Sequence, residues 1–150
     1  MIRVRMNSRL ASALLYFATF LVAFPAQAKQ CESLAPGSSQ IYFSGWPGPK
    51  LPVYLYRPPM AGPDSLIVFV MHGVQRDGDR YRDEWRDLAD KHDLIIVVPT
   101  FGRKDFPTAS SYNLGNIIDE QGGKNPKAKW SFSAIEPLFD DIVCRVSGKQ

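Results

Sequence analysis

Two uninterrupted apolar runs, Leu66-Ile67-Val68-Phe69-Val70-Met71 and Leu94-Ile95-Ile96-Val97-Val98, constrain this chain more than any other feature. A strand with one wet face alternates apolar and polar residues. A run without alternation reads as a strand buried on both faces, which is the habit of parallel sheets. Between the runs lies a helical pattern from about Arg80 to Lys91, in which Tyr81, Trp85, Leu88 and Ala89 recur at i, i+4, i+7 and i+8 and so face inward. Arg82, Asp83, Arg86, Asp87 and Asp90 fill the rest of its surface, a solvated face rather than a binding stripe. Asp79 stands where a cap for this helix belongs. Strand, helix and strand of this kind form a parallel βαβ unit with a right-handed crossover.

Around that unit the signals are weaker. Ile41 to Trp46 and Leu51 to Arg57 are β-like, separated by the turn-forming Gly45-Trp46-Pro47-Gly48-Pro49. Val53-Tyr54-Leu55-Tyr56 suits a strand near a sheet edge. Thr100 to Lys129 has no clear periodicity, and a loop that long is functional or disordered. Its aromatics Phe101, Phe106 and Tyr112 argue for partial packing. Ile135, Leu138, Phe139, Ile142, Val143 and Val146 then hold one face of a last helix that stops near Ser147-Gly148. Ser133-Ala134-Ile135-Glu136 has the form of a capping box, although Pro137 can shift the true start. The expected class is α/β, a mostly parallel sheet with flanking helices.

Charge bears on the N-terminus alone. The net charge is +3, and removing Arg3, Arg5 and Arg9 from the 18 Lys and Arg leaves a count equal to the 15 Asp and Glu. Those three arginines precede the apolar stretch Leu10 to Phe24 and then Ala26-Gln27-Ala28. A basic segment, an apolar segment and an Ala-x-Ala site make a signal peptide over 1–28, cleaved after Ala28. The alternative is an uncleaved anchor, for which the apolar run is short. Export places 29–150 outside the cytoplasm, secreted or periplasmic, with no membrane contact after cleavage. A segment of balanced charge has no electrostatic footprint for nucleic acid. In an oxidising compartment Cys31 and Cys144 can pair, closing most of that segment into one loop worth about 4–5 kcal/mol on the chain-entropy model. Two unpaired thiols, with Cys144 buried on the last helix, is the alternative.

The most informative short motif is His72-Gly73-Val74-Gln75, directly after the first apolar run. Ligand sites in open α/β sheets lie beyond the carboxyl ends of strands, and a backbone N–H in such a loop can bind the oxyanion of an acyl-transfer intermediate. Gly73 lets the backbone pass close to a ligand, leaving the Val74 or Gln75 N–H free to point outward. The ring of His72 reads as orienting this loop rather than as a base. His92 reads as a helix C-terminal residue favoured by the dipole.

From about Tyr42 to Val146 the chain resembles the N-terminal half of a secreted α/β-hydrolase, an esterase of the polyhydroxybutyrate-depolymerase or feruloyl-esterase type. The resemblance rests on Val70-Met71-His72-Gly73, Tyr81-Arg82-Asp83-Glu84-Trp85, Leu88-Ala89-Asp90, Ile96-Val97-Val98-Pro99 and Tyr112-Asn113-Leu114-Gly115-Asn116. It implies hydrolysis of a small-molecule or polymeric ester by a Ser-His-Asp triad without a cofactor. Yet no serine of the chain has glycine at both −2 and +2, so the Gly-x-Ser-x-Gly elbow that holds such a nucleophile is absent. No triad residue can be named. Metal and nucleotide readings fail on spacing. Asp77-Gly78-Asp79 opens like a calcium loop, but Tyr81 and Leu88 stand where oxygen ligands belong. Gly122-Gly123-Lys124 lacks the first glycine and the preceding strand of a phosphate loop.

The expectation is an incomplete α/β-hydrolase fold over 29–150, ending before the nucleophile strand and inactive alone. Its strand at 66–71 would keep an unpaired edge, inviting self-association and poor solubility. The rival reading is a small exported protein that binds a ligand or partner through the 100–130 loop and is not an enzyme.

Overall fold

A computed structural model describes residues 31–148, so the signal-peptide reading over 1–28 lies outside the described residues. The chain runs β1 (Gly37–Phe43), β2 (Leu51–Arg57), β3 (Ile67–Phe69), α1 (Gly78–Glu84), α2 (Arg86–His92), β4 (Ile95–Pro99), two 3-10 turns (Lys127–Lys129 and Ser131–Ala134) and α3 (Ile135–Ser147). One sheet forms, in the order β1-β2-β4-β3. β3 and β4 are parallel, with Val68 opposite Ile96, as two apolar strands joined through helices require.

The sheet is nevertheless mixed and not mostly parallel, because β1 pairs with β2 and β2 with β4 in antiparallel register. The turn between β1 and β2 is too short for a crossover, so those strands can only form a hairpin. That hairpin docks through β2 on the free side of β4. β1 also begins four residues before its expected start, Gly37 opposing Arg57.

α3 and the 100–134 loops cover one sheet face. There Leu51, Val53, Leu55, Ile95 and Val97 meet Phe101, Leu138, Ile142 and Val146. α1 and α2 cover the other, where Tyr56, Val70, Ile96 and Val98 meet Ala89. β4 is buried along its length, as its composition predicts. β3 is not: it lies at the sheet edge, only three residues pair, each is half-buried, and Leu66 just before it is 71% exposed. An edge strand has one neighbour, and burial on both faces needs more cover than that.

The helices correct the sequence reading in five places. The expected helix 80–91 is two short ones that meet at Trp85, whose N–H takes the tighter bond to Arg82 O. Leu88 is 44% exposed, because Ala89 is the α2 residue that presses on the sheet. The N-cap position of α1 is Asp77, Asp79 lying within the first turn. Ser133 forms no capping box: its hydroxyl bonds the carbonyls of Lys127 and Trp130, and α3 follows Ala134 with no side-chain cap. On α3 the ridge of Leu138, Ile142 and Val146 is buried, while Phe139 and Val143 remain 45% and 39% exposed. Phe139 reaches out to Phe69 of the edge strand, ring centroids 6.5 Å apart. Among the described residues no helix is long and apolar enough to cross a membrane.

Cys31 and Cys144 form a disulfide that ties the segment before β1 to α3. The same seam carries a bond from Leu34 N–H to Arg145 O of 3.0 Å, and Arg145 is held by the buried Asp141 at 2.7 Å. The cysteines are separated by 113 positions. A loop of that length puts the cost of reduction at about 4–5 kcal/mol on the chain-entropy model. Equilibrium denaturation with and without reductant is expected to show that loss, and an unshifted midpoint would refute it.

Candidate functional site

β3 gives out at the point where Val70 N–H makes its last bond to β4, to Val97 O at 2.9 Å. The chain then turns His72 inward, 3% exposed, beneath the carboxyl ends of β3 and β4. Its Nε2 accepts the Phe101 N–H at 2.9 Å. An amide can only donate, so Nε2 keeps its lone pair and the ring proton sits on Nδ1, which donates to Gly73 O at 2.9 Å. Tyr112 stacks on the imidazole with centroids 4.5 Å apart and donates its hydroxyl to the His72 carbonyl at 2.6 Å. His72 thus fastens three separate stretches of chain to one ring, and neither ring nitrogen is free to take a proton from a nucleophile.

The loop above is oriented through its carbonyls. Gly73 O receives the Arg76 N–H at 3.2 Å as well as the His72 ring, and Val74 O receives Arg103 Nη2 at 2.7 Å. In a trans peptide the following N–H points opposite to the C=O. Fixing these two carbonyls therefore fixes the amides of Val74 and Gln75, both of them exposed residues. Neither amide meets an acceptor among the described residues. Two oriented, unspent N–H donors at strand carboxyl ends can stabilise a negatively charged oxygen.

Two backbone features shape this turn. The left-handed residue of this turn is Arg76, φ 65°, which costs about 1–2 kcal/mol for a residue with a side chain. At Gly73 space is tight, since a Cβ there would lie 2.9 Å from the Tyr81 hydroxyl.

Charge around the loop is arranged by the same residues. The Arg76 guanidinium lies 4.2 Å from the Tyr112 ring centre and donates to Phe106 O at 3.1 Å. Burial lowers its pKa from the usual arginine value, with Arg103 adding repulsion, and burial raises that of Tyr112. Its Nε and Nη1, and Oδ1 of Asp77, are buried without a hydrogen-bond partner among the described residues. Asp77 is held below the ordinary carboxylate range by Arg80, 2.6 Å away.

The structure brings His72, Gly73, Val74 and Gln75 together at this strand end. It does not bring His92 to them: His92 closes α2 and lines a separate hollow with Met60, Pro63 and Asp93. Asp77-Gly78-Asp79 opens α1, and the amides of Gln121 and Gly123 are taken by Asp119, so no phosphate cradle forms there. Arg76, Arg103 and Tyr112 escape the sequence reading as partners of the loop. The aromatic cluster in the long loop is the one signal that points toward them. The Tyr112-Asn113-Leu114-Gly115-Asn116 segment reverses through Gly115 and Asn116, both left-handed, and so delivers Tyr112 onto His72.

A mixed sheet between helical layers, with oriented amides beyond its parallel strands, defines an α/β protein. No family model matches the chain, and no curated protein is significantly similar in sequence. Solved structures are. Poly(aspartic acid) hydrolase-1 from Sphingomonas sp. KT-1 is 39% identical, with a TM-score of 0.73 over 77% of this chain and 44% of that one. LpqC, a poly(3-hydroxybutyrate) depolymerase from Bordetella parapertussis, is 31% identical, with a TM-score of 0.67 over 74% of this chain and 39% of that one. The chain is thus related to hydrolases of the depolymerase and esterase type, and it spans less than half the length of either.

Burial lowers the His72 pKa from 6.5, and the Arg76 charge adds to this, against the opposing bond to Gly73. The unfolded chain therefore takes this proton first as pH falls. The stability His72 contributes is complete above about pH 6.5 and declines below it, before the carboxylates titrate. His72→Ala should cost about 2–4 kcal/mol, from the cavity and the orphaned Phe101 amide, and should remove this limb. Urea titrations between pH 5 and 7.5 test both statements. An unchanged limb in the variant would assign it to another group.

Proposed function

We propose that this chain carries the oxyanion-binding part of an exported carboxylic-ester hydrolase of the depolymerase type and has no turnover alone. The observation that carries the reading is the pair of anchored, unspent amides at Val74 and Gln75, in a chain 39% identical to a hydrolase over 77% of its length. The substrate class is an ester, or another acyl compound, of small molecules or of a polymer. Its carbonyl oxygen would take the two amides as it gains charge. His72 would set the loop and take no proton, since its Nε2 lone pair is already engaged. Inactivity alone follows from the lack of any Gly-x-Ser-x-Gly among the 150 residues. Export is carried by the 1–28 segment, whose basic, apolar and Ala-x-Ala parts support it.

Two measurements test this. The purified chain should leave 4-nitrophenyl butyrate intact above the rate of buffer, and real turnover would refute the inactivity. Residues 31–148 should also replace the matched segment of the Sphingomonas enzyme and leave a chimera that hydrolyses poly(aspartic acid). Arg103→Ala in the chimera should lower kcat about 10–100-fold with little change in KM, since a misdirected amide loses transition-state bonding. A folded but inactive chimera would count against the assignment of the loop.

A further inference from the structure

The two exposed donors belong to one β-turn. Arg76 N–H bonds Gly73 O at 3.2 Å, so Val74 and Gln75 are the central residues of the turn and Arg76 is its fourth. A fourth residue with φ 65° is a place for glycine, which adopts that backbone freely, whereas a residue with a side chain is strained there. The sequence puts an arginine in that place, and its guanidinium has two defined seats. Nη2 donates to Phe106 O at 3.1 Å, and the guanidinium carbon lies 4.2 Å from the centre of the Tyr112 ring. Both seats are themselves fixed. Phe106 is buried, its N–H bonds Gly102 O at 2.9 Å, and its ring meets Phe101 edge-on with centroids 5.0 Å apart. Tyr112 is buried against His72, whose carbonyl takes its hydroxyl.

We propose that Arg76 is the positioning residue of this turn: its guanidinium, seated on Phe106 and Tyr112, fixes the closing amide and so holds the Val74 and Gln75 N–H groups in place. The proposal rests on the reading of those amides as an oxyanion site. Arginine suits both seats at once, since its flat cation lies on a ring while one edge donates to a carbonyl. A lysine ammonium, a single point of charge, takes one seat or the other. Strain of this kind persists only where the surroundings over-determine it, and here two buried aromatic residues do so. The two arginines divide the work. Arg103 holds the middle carbonyl of the turn, at Val74, and Arg76 holds its end. Arg76 acts through the amides and not on a substrate. The long segment after β4 thereby gains a use, because its residues 106 and 112 carry the brace.

Nitrogen-15 relaxation of the oxidised, purified chain reads the brace directly. The Val74 and Gln75 amides should have order parameters of rigid backbone, about 0.85, and Arg76→Gly should lower both below about 0.6. The urea midpoint of Arg76→Gly should stay near the wild-type value, because glycine relieves the strained φ as the side-chain contacts are lost. Arg76→Lys keeps the strain and one seat, so it should give intermediate order with a lower midpoint. In the chimera, Arg76→Gly should lower kcat about tenfold at constant KM. Amides that stay ordered in Arg76→Gly would overturn the proposal, whatever the midpoint does, since a merely structural clamp moves the midpoint and not the amides. Mobile amides in the wild type would overturn it too. Amides that loosen while kcat is unchanged would uphold the brace and count against the oxyanion reading instead.

Discussion

The Phe101 N–H at the end of β4 is buried and must be paired, and it is paired with the imidazole of His72. A buried amide left without a partner costs about 1–3 kcal/mol, so this bond decides the tautomer, the rotamer and the charge of the ring. Everything beyond the strand ends follows from that choice. With the proton on Nδ1, the ring reaches Gly73 O and holds the first peptide of the loop. With the ring neutral, Tyr112 can stack on it while the Arg76 guanidinium lies 4.2 Å from the Tyr112 ring centre. A cationic imidazole in that position would face Arg76 and lose the Phe101 bond together.

Such a hub needs a rigid frame, and two non-local constraints supply it. One is the parallel pairing of β3 with β4, which brings residues 72 and 101 to the same end of the sheet. The other is the disulfide, which fastens the first described residues to α3 and so closes the layer over Phe101 and Leu138. Neither constraint protects β3 on its outer side. Among the described residues the contacts are dense at the carboxyl ends of the strands and sparse along the outer side of β3, a contrast that a single average stability would conceal.

The parallel strand pair, the helical crossover and the position of the His72–Gln75 loop were legible in the sequence because each is a local pattern of apolar spacing. The mixed sheet was not, since β2 docks on β4 through pairings such as Tyr54 with Val98 that leave no trace in either segment. Leu88 and Phe139 fit a helical face by spacing, yet half of what a helix buries depends on what lies opposite. Ser133 and Glu136 matched a cap by spacing, but the serine hydroxyl found carbonyls of the preceding turn instead. The partners of the loop failed to announce themselves for a similar reason. Arg103 and Tyr112 act on residues 29 and 40 positions away.

A histidine beside the proposed oxyanion loop invites assignment as a base, and here hydrogen-bond direction argues against it. Catalysis by a serine enzyme needs an imidazole nitrogen whose lone pair faces the nucleophile. The Nε2 lone pair of His72 faces a backbone amide, and the opposite nitrogen is a donor to a carbonyl. On the proposed reading, any nucleophile that works against this loop must therefore bring its own base, and the loop's contribution is limited to charge stabilisation. On that reading, the electrophilic side of the reaction rests on contacts among residues 72 to 112 alone, so it forms a unit that needs no residue from elsewhere in the chain to orient it.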